Sequence, residues 1–200
     1  MSYFPSKKEV ESVNQLTREI KERTLEHLSS KNLKADMVLV GSIAKRTYIK
    51  GEHDIDFFIL TENQEEVFKE LQILYPSGIH KQGELLIWSG NISNHMVDLV
   101  VVKPDHIVVE TLAHTDFFNK RLNDKMRREV IKGKAYMKTE GLYGAEVGGI
   151  TGVCIEELVR LHNTFYNACQ FLVDSPKRPF IQDPTKSKSR DLLASVVSRK

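Results

Sequence analysis

Residues 40–60 read VGSIAKRTYIKGEHDIDFFIL, and this stretch decides the fold. An apolar run closes on Gly41-Ser42, a basic loop with Lys45 and Arg46 follows, and a second apolar run carries Asp54 and Asp56. The local pattern predicts a strand over 37–40, a turn, and a strand over 54–60. Alternate residues of a strand project to one face, so the two carboxylates point the same way, roughly 6.5–7 Å apart along the backbone. Charged groups in such an apolar run are costly unless paired or metal-bound. A third acid, Asp98, interrupts another apolar run, MVDLVVV at 96–102. Gly41 permits close backbone approach to a phosphate, and the Ser42 hydroxyl can donate to its oxygens.

Outward from this stretch, the N-terminal side predicts an amphipathic helix from Ser6 to about Ser29. Val10, Val13, Leu16, Ile20, Leu25 and Leu28 recur at near-helical spacing, and Ser6-Lys-Lys-Glu9 forms a capping box. On the C-terminal side, Thr61-Glu-Asn-Gln64 repeats that capping logic and opens a helix to about Leu74, broken by Pro76-Ser-Gly78. Leu85–Trp88 and Met96–Val102 read as strands separated by a turn-rich Ser89–Asn94. From Asp105 the pattern turns helical: His106–Ala113, Asn119–Thr139 ended by Gly141, then one apolar helix with Leu158, Leu161, Phe165, Cys169 and Leu172 on its buried stripe. Pro176, Pro179 and Pro184 mark a loop, and a short helix follows Ser189. The expected fold class is α+β: a mixed sheet with helices on one face over 1–104, then a helical domain over 105–200.

Composition bounds the rest. Two hundred residues with 40% hydrophobic and 28% charged side chains suit a globular chain with a proper core, and a net charge of +2 does not by itself call for nucleic acid. The C-terminal cations Lys177, Arg178, Lys186, Lys188, Arg190, Arg199 and Lys200, set against Asp183 and Asp191, could lie along phosphates or simply be solvated. Cys154 and Cys169 fall on an apolar background with no metal-ligand or disulfide pattern, so both are expected as reduced thiols in one helix. No apolar run is long enough to span a membrane and no signal peptide is visible, so the expected location is cytoplasmic.

Gly-Ser, a spacer and Asp-hydrophobic-Asp resemble the signature of the polymerase-β-like nucleotidyltransferase superfamily. Thr111-Leu-Ala-His-Thr115-Asp-Phe117, REVIKGKAYMKTEGLYGAEVGGITG at 128–152 and FIQDPTKSKSRDLLASVVS at 180–198 narrow the resemblance to the archaeal-type, class I CCA-adding tRNA nucleotidyltransferases. The resemblance runs in order along most of the chain and is weakest between Gln64 and Met96. It implies a catalytic head at 1–104 and a nucleotide-binding neck at 105–200. It implies transfer of CMP or AMP from CTP or ATP to an RNA 3′ hydroxyl, most simply that of tRNA, without a template.

Such chemistry expels pyrophosphate from a highly charged triphosphate. Two divalent cations about 3.5–4 Å apart serve it, one at the attacking oxygen and one at the leaving group. Magnesium, with oxygen ligands and retained waters, needs only a few carboxylates. Asp54, Asp56 and Asp98 are the implied catalytic and metal-binding residues. Gly41, Ser42, Lys45, Thr115, Lys134 and Tyr143 are the implied nucleotide contacts, and Arg190 the implied contact to the base. Residue chemistry alone leaves Lys134 open as an exposed helix lysine, Tyr143 as a packing residue and Arg190 as a surface cation.

The chain departs from the family pattern at three places. Phe118 stands where a histidine near the triphosphate is common. No His-Pro-Tyr stretch precedes the third carboxylate. The chain ends just past the DPT segment, where family members continue into body and tail domains; it reads either as a natural minimal member or as a truncated form, and a homodimer or a partner subunit could replace those domains. Two other readings fit the same residues: transfer to another acceptor, as in oligoadenylate or second-messenger synthases and protein-modifying transferases, or a catalytically silent nucleotide- or RNA-binding module.

Overall fold

In a computed structural model of the chain, residues 3–81, 85–104, 109–145, 147–175, 180–185 and 191–192 are described. The chain divides into two units, one of Pro5–Ala44 and Lys50–Leu112, the other of Met1–Phe4, Lys45–Ile49 and Ala113–Lys200. The predicted boundary at Asp105 lies outside the described residues.

The first unit is built on a mixed sheet. Helix α1 (Lys7–Ser30) opens on Ser6, whose hydroxyl accepts from the Glu9 N–H at 3.2 Å, and it buries Val13, Leu16, Ile20 and Leu28. Strands β1 (Asp36–Val40), β2 (Ile55–Leu60), β3 (Ile79–Lys81), β4 (Leu86–Ile92) and β5 (His95–Val102) form one sheet in the order β1-β2-β5-β4-β3. Only β2 and β5 run parallel. The two-residue period separates the sheet faces. Met37, Ile55, Phe57, Val97, Leu99 and Val101 are almost wholly buried on one of them. The alternate residues, Asp56 and Asp98 with Phe58, Val100 and Val102, point to the other, where Val40, Phe58 and Val102 form a smaller cluster joined by Leu112.

Helix α3 (Gln64–Leu74) buries Val67, Phe68 and Leu71 and packs with α1 against the sheet. At its end, the Tyr75 hydroxyl meets that of Thr24 at 3.0 Å, and the Tyr75 carbonyl accepts from Trp88 Nε1 at 2.8 Å. The Trp88 indole fits only because Gly78 and Gly90 lack side chains: a Cβ at Gly78 would stand 2.1 Å from the indole, and one at Gly90 2.7 Å.

The sequence pattern misplaces several boundaries here. The N-cap of α3 is Asn63, not Thr61. The Thr61 hydroxyl instead donates to the Lys34 carbonyl at 2.8 Å and accepts from the Asn63 N–H. Ser89–Ile92 is not a turn but the second half of β4; only Ser93 and Asn94 turn, both with positive φ (51° and 64°), the geometry of a tight two-residue hairpin. The polar residues of that segment fit a strand because cross-strand pairing with β5 satisfies their backbone. Strand β3 was unsuspected.

The second unit is helical. Helix α4 (Val109–Arg121) spans the division between the units, and its predicted end at Ala113 is an undershoot. Helix α5 (Asp124–Thr139) restarts after Asn123, whose side chain caps the Met126 N–H at 2.9 Å. Helices α6 (Gly152–His162) and α7 (Phe165–Asp174) replace the predicted single helix. Asn163 takes φ 66°, and Thr164 caps the new helix through the Asn167 N–H. Leu161, placed on the apolar stripe by the sequence, is 47% exposed, and the break puts Cys154 and Cys169 on different helices, both as free thiols. The core joins Phe118, Val130, Met137, Ile155 and Val159, with Cys154, Leu158 and Ala168 beside Ile181 and Leu192. The predicted helix after Ser189 lies outside the described residues. No helix among the described residues is long and apolar enough to cross a membrane.

Trp88 is the sole tryptophan, so its fluorescence reports the sheet unit. Gly78→Ala should destabilise that unit by about 1–3 kcal/mol through overpacking, read as a lowered denaturant midpoint of the Trp88 signal. An unchanged midpoint would contradict the packing described.

Candidate active site

The carboxylates sit where the parallel pair of the sheet is flanked by β1. Asp56 lies opposite Val40 of β1 on one side and opposite Asp98 of β5 on the other. In-register residues on neighbouring strands are about 4.8 Å apart and share a face, so Asp56 and Asp98 form an adjacent pair. Asp54 is two residues before Asp56, just outside β2, and exposed. The turn after β1 winds into a one-turn helix, α2 (Gly41–Ala44). Gly41 has φ +72°, and a Cβ there would stand 2.1 Å from Asp56 Oδ2. Only glycine satisfies both the dihedral and the contact, so the Asp56 carboxylate rests against the backbone of the Gly-Ser turn. Ser42, next in the turn, is half-buried. The loop leading into Asp54 is tied to α1, where Glu9 Oε1 accepts from the Gly51 N–H at 2.8 Å and lies 4.0 Å from His53 Nδ1.

These oxygens suit a hard cation. Among the described residues, no three His, Cys, Asp or Glu side chains gather into a ready-made metal cage. A register-fixed pair with an exposed third carboxylate still fits magnesium, which retains several waters and takes substrate oxygens as further ligands.

The helical unit holds a different electrostatic centre, and its key residue was missed in the sequence. Glu156 of α6 is fully buried. Its Oε2 accepts from Lys45 Nζ at 2.6 Å, and its Oε1 from Thr47 Oγ1 at 2.8 Å and Lys134 Nζ at 3.0 Å. Lys134 also donates to Thr47 Oγ1 at 3.0 Å. Lys45, Thr47 and Lys134 are themselves buried. Burial pushes the Glu156 carboxyl upward, but the ammonium groups of Lys134 and Lys45, and the hydrogen bonds from both, outweigh it and bring it down to about 2. Two cations against one carboxylate leave a surplus of one positive charge.

Several contacts hold this centre in place. Arg127 Nε donates to the Lys45 carbonyl at 3.1 Å, and the same guanidinium reaches Asp124 Oδ1 and the Asn119 carbonyl. The Lys45 ammonium lies 5.7 Å from the centre of the Phe118 ring, so Phe118 is a core residue facing that cation. Arg46 is exposed, 3.6 Å from Asp124. Lys134 and Tyr143 approach the first turn of α6 together: a Cβ at Gly152 would lie 3.0 Å from the Tyr143 hydroxyl and 3.3 Å from Lys134 Nζ.

Thr115 is buried on α4, and its hydroxyl has no hydrogen-bond partner among the described residues. Beside it, His114 Nε2 meets Asp183 Oδ1 at 2.9 Å. That oxygen also accepts from the N–H and hydroxyl of Thr185, closing the Asp-Pro-Thr turn. Burial pushes the Asp183 carboxyl upward, but the bonds from Thr185 and His114 hold it below its usual range. Arg190 lies outside the described residues.

The structure therefore brings Asp56 and Asp98 together with Gly41 in one unit, and Lys45 with Lys134 and Tyr143 in the other. The signal for Glu156 was present in the sequence: an acid inside VCIEELV is as anomalous as Asp98 inside MVDLVVV.

A nucleotidyltransferase domain model matches residues 21–138. A CCA-adding enzyme of Thermoplasma volcanium is 30% identical over 211 aligned positions, covering 98% of this chain and 48% of its own length. One of Pyrobaculum islandicum is 28% identical, covering 93% and 48%. A third, of Thermoplasma acidophilum, is 29% identical, covering 98% and 95%. The chain spans about half the length of the first two relatives. Among solved structures, a cytoplasmic RNA terminal U-transferase superposes with a TM-score of 0.63 at 14% identity, covering 97% of this chain and 66% of that one. The polymerase core of TRAMP, an RNA surveillance complex, superposes at 0.58 and 19% identity, covering 88% and 53%. At these identities the likeness shows a shared fold.

Glu156 gives an acid-stability signature. Its folded pKa of about 2 lies below the ordinary 4.5, so its stabilisation is complete above about pH 4.5 and is lost as pH falls through 2. Glu156→Gln should flatten helical unfolding across that window, leaving the smaller contribution of Asp183. At neutral pH it should cost about 3–5 kcal/mol, because two buried ammonium groups lose their counter-charge. Circular dichroism against pH checks both; identical acid curves for the two proteins would refute the assignment.

Proposed function

The chain belongs to the nucleotidyltransferase domain family, and from that membership we propose that it adds CMP and AMP from CTP and ATP to the 3′ end of tRNA without a template. The observation that carries the proposal is the in-register Asp56–Asp98 pair with Gly41 packed on the Asp56 carboxylate. Similarity to CCA-adding enzymes along nearly the whole chain favours the RNA end as acceptor.

In this reading the 3′ hydroxyl oxygen forms a bond to the α-phosphorus, the bond from that phosphorus to pyrophosphate breaks, and the hydroxyl proton is released. Asp54, Asp56 and Asp98 would hold two magnesium ions, which when bound would neutralise the triphosphate and acidify the hydroxyl. The rest falls to the chain itself. The Gly41-Ser42 turn, packed on the Asp56 carboxylate, offers the Ser42 hydroxyl to phosphate oxygens. In the helical unit, Lys45 and Lys134 keep one net positive charge beside Glu156, and Tyr143 adds a phenolic donor near Lys134. These groups suit the β- and γ-phosphates. Thr115, whose hydroxyl has no partner among the described residues, is a further proposed nucleotide contact, and Arg190, outside the described residues, is the proposed contact to the base.

The test supplies magnesium and each labelled nucleoside triphosphate to tRNAs ending before C, after C and after CC. Expected are C onto the first two, A onto the third, and none with chelator or with Asp56→Asn, whose fold should be intact by circular dichroism. Addition of a single nucleotide type to any RNA end would keep the chemistry and overturn CCA addition. No metal-dependent incorporation into any RNA would overturn the transferase reading itself.

A further inference from the structure

Helix α5 carries a stripe that neither the helical core nor the Glu156 centre uses. At about 100° per residue, Lys125, Arg128, Lys132, Ala135, Tyr136 and Thr139 fall within about 60° of one line on its surface. The three cations are exposed. The last four residues open into a cavity of about 580 Å³, walled on its other side by Tyr3, Phe165, Tyr166 and Cys169. Its rings are unusually open to water: Tyr136 is 55% exposed, Tyr166 73% and Tyr3 39%. The Tyr136 and Phe165 rings stand 6.0 Å apart at 55°, which leaves their faces only partly used. At the basic end, the Arg128 guanidinium lies 4.1 Å from the centre of the Phe4 ring, so cation and aromatic surface are continuous. From Lys125 to Thr139 the stripe is about 21 Å long.

Its charge is suited to a polyanion. The acids flanking the stripe are both engaged, Asp124 by Arg127 at 3.1 Å and Glu129 by Lys132 and by the Phe165 N–H at 3.2 Å. Lys125 and Arg128 set the sign of the basic end. A row of cations leading into a set of tyrosines matches an unpaired nucleic-acid strand, which offers phosphates on its backbone and a flat π-face on every base. A duplex hides those faces, and an apolar peptide would leave the cations unmatched.

We infer that this stripe is a docking track for single-stranded RNA, with bases stacked on Tyr136 and Tyr166 and phosphates along Lys125 and Arg128. The track rests on the transferase reading for the identity of that RNA as the acceptor. It adds to that reading a second binding surface, remote in sequence from every carboxylate of the proposed metal site.

The experiment titrates the full chain with a fluorescent single-stranded 12-nucleotide RNA of mixed sequence, without nucleoside triphosphate, across a salt series. Tyr136→Ala with Tyr166→Ala should weaken binding about tenfold or more, while Tyr136→Phe, which keeps the ring, should bind as wild type does. Lys125→Ala with Arg128→Ala should reduce the slope of log affinity against log salt by about 1.4, two phosphate contacts at roughly 0.7 each. A readout without mutation comes from Cys169: Cys154 is buried, with its thiol pushed up to about 12 by that burial and by Asp191 and Glu157, so alkylation reports Cys169, and RNA should slow it. In nucleotide incorporation, the double tyrosine variant should raise KM for RNA and leave kcat and KM for nucleotide unchanged.

Wild-type affinity in the tyrosine variant, unprotected Cys169, or equal binding of a duplex would overturn the track. So would loss of self-association instead of RNA affinity, which would assign the face to a second copy of the chain. Failure of wild type to incorporate any nucleotide would sink the transferase reading alone, because the titration and the alkylation involve no chemistry on the RNA.

Discussion

A carboxylate without access to water stays ionised only if cations reach it, and Glu156 is such a group. The placement of three other buried polar side chains of the helical unit follows from that constraint. Lys45 and Thr47 come from the segment after the Gly-Ser turn, Lys134 from the middle of α5, and all converge on one side chain of α6. The buried lysines cannot reorient without stranding charge. Arg127 then secures the backbone of the same segment, so its position is held through main chain and side chain alike. In the phosphate-binding role proposed for Lys45 and Lys134, such rigidity leaves little order to be imposed on binding.

The sheet unit meets a different constraint, that its two faces do different work. One face is packed almost dry beneath α1 and α3. The other keeps Asp56 and Asp98 partly open to water. The period of two makes this possible within single strands, but the close approach of Gly41 fixes where the Asp56 carboxylate rests. Replacing a Gly41 hydrogen by any side chain would drive its Cβ into the oxygen. The same logic recurs at Trp88, whose indole occupies the space that side chains at Gly78 and Gly90 would need.

The sequence by itself determined the strands of Asp56 and Asp98, the α+β class, the Gly-Ser turn and the helical character of the second half. Periodicity and apolar context are local properties, and they survive without tertiary information. Element ends were less legible. Asn123 starts a helix by side-chain capping and Asn163 stops one through a left-handed backbone, and each asparagine competes with neighbours that look equally suitable. Ser89–Ile92 reads as a turn by composition and becomes a strand because β5 pairs with it. What only the tertiary structure decided was which distant residues meet: that Asp98 stands beside Asp56 in parallel register, and that Lys45 and Lys134 share Glu156. Those encounters depend on strand register and helix packing, which are set by the whole fold; no short stretch of sequence encodes the partner of a buried charge.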